Sequence, residues 1–416
     1  MERREIETEA RAAHRALPAL ADDTVEAALR EAASLLRTAS AAVLAANAAD
    51  LDAASGRLDD GALDRLRLDQ ERVNGLVAHL GTMAALPPLE RDANAWTLPN
   101  GLRVRERRIP IGVVGATFEA RPGVALDVAA QLLKSLNAGV VRTGSAALRT
   151  VTVLVEEVLR PALERAGLPP GAIGLVRSAD HEGARILCSL PKLVPLVIVR
   201  GSGETTAMLQ RHAAEHGVRV LAHAEGGGVL YVHPSADETV LKQLVAASLD
   251  RLGVCNRLNL LLVDSAAVRL LPALLEELRG VEVRGAERAR AHAELAPLDV
   301  PLGHEWANDP ERVATVSIEV VGGPDEAAAL ANEETSALAA AVVADDEAVA
   351  QRFLDGYRGT AAFWQAPTRF TDGFALTGAP ETGINVDWVP GPRGPVTYRD
   401  LWLRQYRVVG DGTQRR

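Results

Sequence analysis

Cysteine is nearly absent from this chain: Cys188 and Cys255 are the two in 416 residues. Two widely spaced thiols make neither a disulfide framework nor a metal-binding spacing, so unbridged thiols, a cytoplasmic protein and no metal site are expected. Aromatic residues are scarce at 3%, which leaves the cores to aliphatic side chains. No apolar run is long enough to span a bilayer. Met1 to Glu5 lead into an amphipathic helix and not into a signal-peptide pattern. No block of one charge occurs either. The net charge of −10 is spread along the chain, against nucleic acid or an anionic membrane as main partner, though a local basic pocket is compatible with it. The G-x-G-x-x-G dinucleotide fingerprint is missing from the right context, and there is no internal repeat.

What is present is ordinary for a globular protein, at 48% apolar and 24% charged residues, and too long for one core. Residues 5–86 repeat apolar positions at three and four, with Asp22 or Asp23 as a cap for the helix containing Val25 to Leu36, until Pro87-Pro88 ends the section. Asn100-Gly101 between two short alternating runs signals a hairpin. Its arginines, Arg103, Arg105, Arg107 and Arg108, read as a solvated or subunit-facing edge. From residue 109 continuous apolar strands (111–118, 138–142, 173–176, 196–199, 218–222) alternate with helices (124–135, 146–166, around 183–190, 205–216). That is the pattern of a parallel sheet covered on both faces, with its ligand beyond the carboxyl ends of the strands. A second unit starts near Gly226-Gly227-Gly228, continues through αβ elements to Trp364, and gives way to a Gly/Pro-rich section and an edge strand over 401–409.

Two stretches carry chemistry. Cys255 lies in Gly253-Val254-Cys255-Asn256, a loop between an apolar-periodic segment (236–250) and the strand 258–263, where a nucleophile can be presented to a cleft. Cys188, within Ile186-Leu187-Cys188-Ser189-Leu190, reads as core. Arg142-Thr143-Gly144-Ser145 at a strand end offers a guanidinium, a hydroxyl and helix amides to a phosphate.

The stretch Ile109-Pro110-Ile111-Gly112-Val113-Val114-Gly115-Ala116-Thr117-Phe118-Glu119-Ala120-Arg121-Pro122-Gly123 resembles the gamma-glutamyl phosphate reductases of the aldehyde dehydrogenase superfamily. So do Leu63-Asp64-Arg65-Leu66-Arg67-Leu68, Leu133-Lys134-Ser135-Leu136-Asn137-Ala138, Arg142-Thr143-Gly144-Ser145, Arg200-Gly201, Val254-Cys255-Asn256 and Arg369-Phe370-Thr371-Asp372-Gly373, in the family's order. The resemblance implies an α/β, aldehyde dehydrogenase-like fold: a cofactor domain over 1–225 that includes part of a β oligomerisation arm near 95–108, a catalytic domain over 226–368, and a return to the cofactor domain and arm over 369–416. It implies NADPH as cofactor, an acyl phosphate or thioester as substrate, a homo-oligomer, and an acyl kinase as a partner. By the same resemblance Cys255 is the nucleophile, and Asn256 and the amide of Cys255 are the candidates for holding the oxyanion. Glu119, Arg121, Arg369, Thr371 and Leu338 bind substrate, while Lys134, Arg142, Gly144, Ser145, Arg200, Gly201 and Glu381 meet the nucleotide. His223 and Glu225 are read as structural or as assisting groups.

The chain departs from the family where the substrate is expected. It reads Thr335-Ser336-Ala337-Leu338-Ala339-Ala340 in place of a polar His-Ser stretch, and Phe374-Ala375-Leu376-Thr377-Gly378-Ala379-Pro380-Glu381 in place of a Gly-Phe-Gly-rich loop. The resemblance implies gamma-glutamyl phosphate as the default substrate, and these departures point to an altered acyl group as the alternative. Two other readings stay open at this point: a Cys-dependent acyltransferase or thioester hydrolase, and a catalytically silent partner of an acyl kinase.

Overall fold

A computed structural model describes residues 2–58, 60–178, 180–201, 203–222, 226–309, 313–384, 393–412 and 414. His223 and Glu225 lie outside the described residues. The chain divides into two compact units, one of Met1–Ala222 with Val396–Arg416 and one of His223–Pro395. The return to the first unit, expected from residue 369, therefore comes at Val396. The reason is local: Thr368 and the 369–373 turn hydrogen-bond to the cysteine loop of the second unit.

In the first unit the N-terminal section is helical over Glu2–Ala16, Asp22–Thr38, Ser40–Ala54, Asp60–Leu66 and Gln70–Ala85. Asp22 does not cap its helix. The cap position is Ala21, and the Asp22 carboxylate is held in a two-bond pair by Arg91 at 2.6 and 2.7 Å. The buried Asn47 explains part of the Leu63–Leu68 motif. Its amide donates to Leu66 O at 2.9 Å and accepts from Leu68 N at 2.7 Å, satisfying backbone groups that leave their helix.

Strands β1 (Asp92–Thr97) and β2 (Arg103–Pro110) form the hairpin turned by Asn100-Gly101. Then β3 (Val113–Phe118), β4 (Ala138–Thr143), β5 (Ile173–Val176), β6 (Leu196–Arg200) and β7 (Arg219–Ala222) build a parallel sheet in the order β5-β4-β3-β6-β7. Every residue of β3 and β4 is buried, as a sheet covered by helices on both faces requires. The chain reverses its direction of growth at β3, which makes the carboxyl ends of β3, β4 and β6 the ligand-binding position of such a sheet.

The second unit holds β8 (Gly228–Val232), β9 (Leu258–Asp264), β10 (Glu282–Gly285), β11 (Ala296–Pro297), β12 (Thr315–Val321), β13 (Ala339–Val343) and β14 (Ala361–Trp364), parallel in the order β11-β10-β12-β9-β8-β13-β14. Alternation along each strand feeds two cores. Leu230, Val232, Leu261 and Val263 point to one face, and Val229, Tyr231, Leu260 and Leu262 to the other, the period of two that strands impose. After β9 comes a 3₁₀ stretch over Ser265–Leu270 and then an α-helix over Leu271–Glu277.

Finally β15 (Trp402–Val409) pairs antiparallel with β2, giving the order β1-β2-β15. The arginine-rich strand is thus the middle strand and not an edge. Arg105 and Arg107 share Asp92, each at 3.4 Å, and Arg108 lies over the Trp402 ring. Their aliphatic stems cover the sheet while the charges reach partners at its margin. Among the described residues, no helix is long and apolar enough to cross a membrane.

Candidate active site

The cysteine loop is built from both sides. The helix Glu238–Ser248 is capped by Asp237, whose carboxylate accepts from Thr239 N and Val240 N at 2.8 and 3.0 Å, and is anchored by buried Leu241, Leu244 and Val245. After it the backbone turns at Gly253 (φ +70°), and the turn Val254–Arg257 closes with a 3.2 Å hydrogen bond. Cys255 is half-buried, whereas Cys188 is fully buried. Burial pushes the Cys188 thiol up to about 12, so it stays protonated and inert at neutral pH.

The loop is stitched to the start of β8. Gly227 N donates to Cys255 O at 2.6 Å and Gly228 N to Arg257 O at 2.7 Å. This close approach is why the chain needs glycine there. A Cβ on Gly226 would stand 2.4 Å from the Cys255 Cβ and 2.6 Å from Glu305 Oε1. Glu305 is therefore beside Cys255, across the one point that Gly226 leaves vacant. It is buried at 7% exposure, and its Oε2 accepts from Gly226 N at 2.6 Å. Nothing in His304-Glu305-Trp306 marks it in the sequence, because its neighbours at the site are about 50 and 80 residues away in the chain.

Asn256 is where the structure corrects the expected oxyanion role. Its buried Nδ2 donates to Arg369 O at 3.1 Å and Thr371 O at 2.9 Å, and its Oδ1 accepts from Arg369 Nη1. Both amide protons are spent on the 369–371 turn, so Asn256 holds that turn against the cysteine loop. Arg369 is likewise a tie: its Nε donates to Asp250 Oδ1 at 2.6 Å, so the guanidinium spans Asp250 and Asn256 and is no open fork for substrate. Thr371 is buried and contributes its carbonyl to Asn256. Leu338 is fully buried and packs with Ala339 and Ile384, with Cys255 and Phe363 against the group. Glu381, expected at the nucleotide, accepts from Gly373 N at 2.8 Å in the same unit and closes the loop after the Thr371 turn.

The remaining residues collect in the first unit. Thr117, Glu119, Arg142, Arg200, Gly201 and Thr205 line a cleft at the carboxyl ends of β3, β4 and β6. Arg142 is 2% exposed and donates to Asp180 O at 2.8 Å. Burial lowers its pKa, against the pull of Glu119, Glu2 and Asp180, and a guanidinium stays charged all the same. Arg200 lies 3.6 Å from Asp127, which also pairs with His79 at 3.2 Å. Although burial works the other way, those partners hold the Asp127 carboxyl below its usual range. Gly144 follows β4 close to Glu119, and Ser145 and Arg121 are exposed on the turns after β4 and β3. Lys134 is elsewhere. It ends the helix Val124–Lys134 that leads back to the amino end of β4, where its buried ammonium donates to Ala84 O at 3.1 Å. It is neither solvated nor at the cleft, and its charge serves a carbonyl at a helix C-terminus.

The sequence model of the aldehyde dehydrogenase family matches residues 1–298. Gamma-glutamyl phosphate reductases of Acidiphilium cryptum and Gluconobacter oxydans are each 35% identical to the chain over 413 residues, covering 98% of it and 96% and 94% of their own lengths. The chain belongs to the aldehyde dehydrogenase family, in its gamma-glutamyl phosphate reductase branch. A crystal structure of gamma-glutamyl phosphate reductase from Thermotoga maritima superimposes with a TM-score of 0.92 at 27% identity, covering 99% of this chain and 100% of that one. As a member of the aldehyde dehydrogenase family the protein is an oxidoreductase. Its two parallel sheets and short three-stranded sheet are the fold expected from the resemblance.

Proposed function

We propose that the protein reduces an acyl phosphate to the aldehyde with NADPH, through a thioester on Cys255. The observation that carries the reading is the half-buried thiol fixed on the sheet beside Glu305, in a chain whose other thiol is sealed in the core. In this reading the Cys255 sulfur attacks the acyl carbon, the bond to the phosphate oxygen breaks, and phosphate leaves with the electron pair. The thiol proton is released as the thioester forms, and the Glu305 carboxylate is the nearby base that accepts it. A bound nicotinamide supplies the hydride that reduces the thioester carbonyl. The thiohemiacetal then collapses to the aldehyde, and the departing sulfur takes back the proton held by Glu305, which returns the thiol and the carboxylate. No water attacks in this direction, so the apolar packing of Leu338, Ala339 and Ile384 about the cysteine protects the thioester from hydrolysis.

The donor set of the first-unit cleft fits a dinucleotide. Glu119 is suited to ribose hydroxyls, and Arg142 and Arg200 to phosphate. Replacing Arg142 with alanine is expected to weaken NADPH more than NADH, because only NADPH carries a ribose 2′-phosphate. A charge-assisted bond of this kind is worth about 1.5–3 kcal/mol, or roughly tenfold or more in affinity. Fluorescence titration of both nucleotides reads the ratio, and an unchanged ratio removes Arg142 from the phosphate site.

Leu338 beside Cys255 bears on the acyl group. An amino-acid head group buried without partners costs on the order of 1–3 kcal/mol per polar group. The favoured substrate therefore has its amino or carboxylate function masked or missing, with gamma-glutamyl phosphate itself turned over slowly. Steady-state oxidation of an aldehyde panel with NADP and phosphate tests this. Glutamate semialdehyde matching the best alternative would overturn the substrate assignment, and no aldehyde oxidised at all would overturn the reductase reading. Trp96, Leu403, Tyr406, Val408 and Val409 are exposed on the three-stranded sheet, which supports its use as an oligomerisation arm between copies of this chain.

A further inference from the structure

At the other end from the first-unit cleft, the helix Gly203–Glu215 carries His212, Glu215 and, in the turn just after it, His216. Positions i, i+3 and i+4 share one helix face. Here one donor atom from each residue lies within 4.8 Å of the others, and the two imidazole rings are 4.4 Å apart. We propose that His212, Glu215 and His216 form a surface site for a transition-metal ion of the zinc class.

One ring nitrogen of each imidazole is held by a backbone carbonyl. His212 Nε2 is 3.1 Å from Arg185 O, and His216 Nδ1 is 2.8 Å from His212 O. A carbonyl oxygen only accepts, so each of these nitrogens carries the proton. The lone pairs are then on His212 Nδ1 and His216 Nε2. A ring N–H donated to a backbone carbonyl is the outer-shell contact that fixes tautomer and orientation in metal-bound histidines.

The turn that presents them is rigid. Val218 N donates to Ala213 O at 2.9 Å and Gly217 N to Ala214 O at 3.2 Å, with Gly217 at φ +73°. These are the paired bonds of a glycine-terminated helix end. In a tetrahedral shell, bonds of about 2.0–2.2 Å set donors roughly 3.3–3.6 Å apart, a closure that the exposed Glu215 and His216 side chains make by rotation. Two imidazoles and one carboxylate select zinc, nickel or copper over magnesium and calcium, which take all-oxygen shells. The site lies just before β7, at the amino ends of the strands, whereas the cleft is at their carboxyl ends. Metal there ties the helix end to itself and acts on stability.

The test is calorimetric titration of the full-length, tag-free protein with zinc chloride, after Cys255 is alkylated so that it cannot compete. One ion per chain is expected. His212→Asn and His216→Asn should each weaken it by roughly tenfold or more, Glu215→Gln by less, and magnesium should not bind. Zinc should raise the Tm of the parent protein, reversibly with a chelator, and leave the Tm of the double His212→Asn/His216→Asn variant unchanged. The positions are exposed or half-exposed, so the variants fold. Absence of saturable binding to the parent, undiminished binding to the double variant, or equal binding of magnesium would each overturn the site.

Discussion

Replacing Cys255 with alanine is expected to abolish turnover while leaving nucleotide affinity nearly unchanged. The thiol is the proposed point of covalent attachment, and an alanine methyl offers no electron pair with which to displace phosphate. Loss of an attacking residue in a covalent mechanism costs on the order of 10⁵–10⁶-fold in rate. The cleft residues Glu119, Arg142 and Arg200 belong to the other compact unit of the chain, so their set is untouched. Cys188→Ala is the matched control. That thiol is fully buried and protonated, and its loss should change stability slightly and chemistry hardly at all. Rates of aldehyde oxidation for the three proteins, beside nucleotide titrations, decide the matter. Equal activity in the parent and in Cys255→Ala would remove the thioester from the mechanism.

A single methyl group at Gly226 should also be damaging, by a steric route and to a smaller degree. Its carbon would lie 2.4 Å from the Cys255 Cβ, 2.5 Å from Cys255 O and 2.6 Å from Glu305 Oε1. Two of these three neighbours belong to the loop that carries the nucleophile, so that loop must move. Overpacking of this order costs about 1–3 kcal/mol in stability. A displacement of the reacting atom by about 1 Å costs roughly 100-fold in rate. Gly226→Ala should therefore remain folded in urea titrations, with a lowered midpoint, yet lose about two orders of magnitude in kcat. Its Cys255 should also be alkylated by iodoacetamide at an altered rate. Full activity in this variant would mean that the loop yields without cost and that its close approach to β8 does not position the thiol.

The strands were legible because Val113–Phe118, Ala138–Thr143 and Leu258–Asp264 are short apolar runs bounded by turn residues, and burial on both faces leaves little other use for such runs. Cys255 was legible because cysteine is rare and this one sits in a loop. What the sequence hid was partnership. Asn256 looks like an oxyanion donor until Arg369 O and Thr371 O, more than a hundred residues away, are found on its amide. Asp22 looks like a helix cap until Arg91 claims it. Lys134 has the composition of a solvated helix end, yet the fold covers it with the Gln70–Ala85 helix. Glu305 carries no local signal, since its neighbourhood is made entirely by the tertiary structure. The His212-Ala213-Ala214-Glu215-His216 spacing was visible from the start, but only the helix phase turns it into a cluster.

The three-stranded sheet has a consequence for how the chain is made. Its middle strand, β2, has one neighbour just before it in sequence and the other, β15, some 300 residues later. During vectorial synthesis β2 therefore waits, with one backbone edge unpaired, while both parallel sheets form. An unpaired edge is a template for foreign strands, and pairing so distant in sequence is slow to close. The hairpin is guarded meanwhile by its own charge: the four arginines Arg103, Arg105, Arg107 and Arg108 along β2 repel a second copy of the same nascent edge. The charge run that looks decorative in the finished molecule is then a safeguard over the roughly 300 codons that separate β2 from β15.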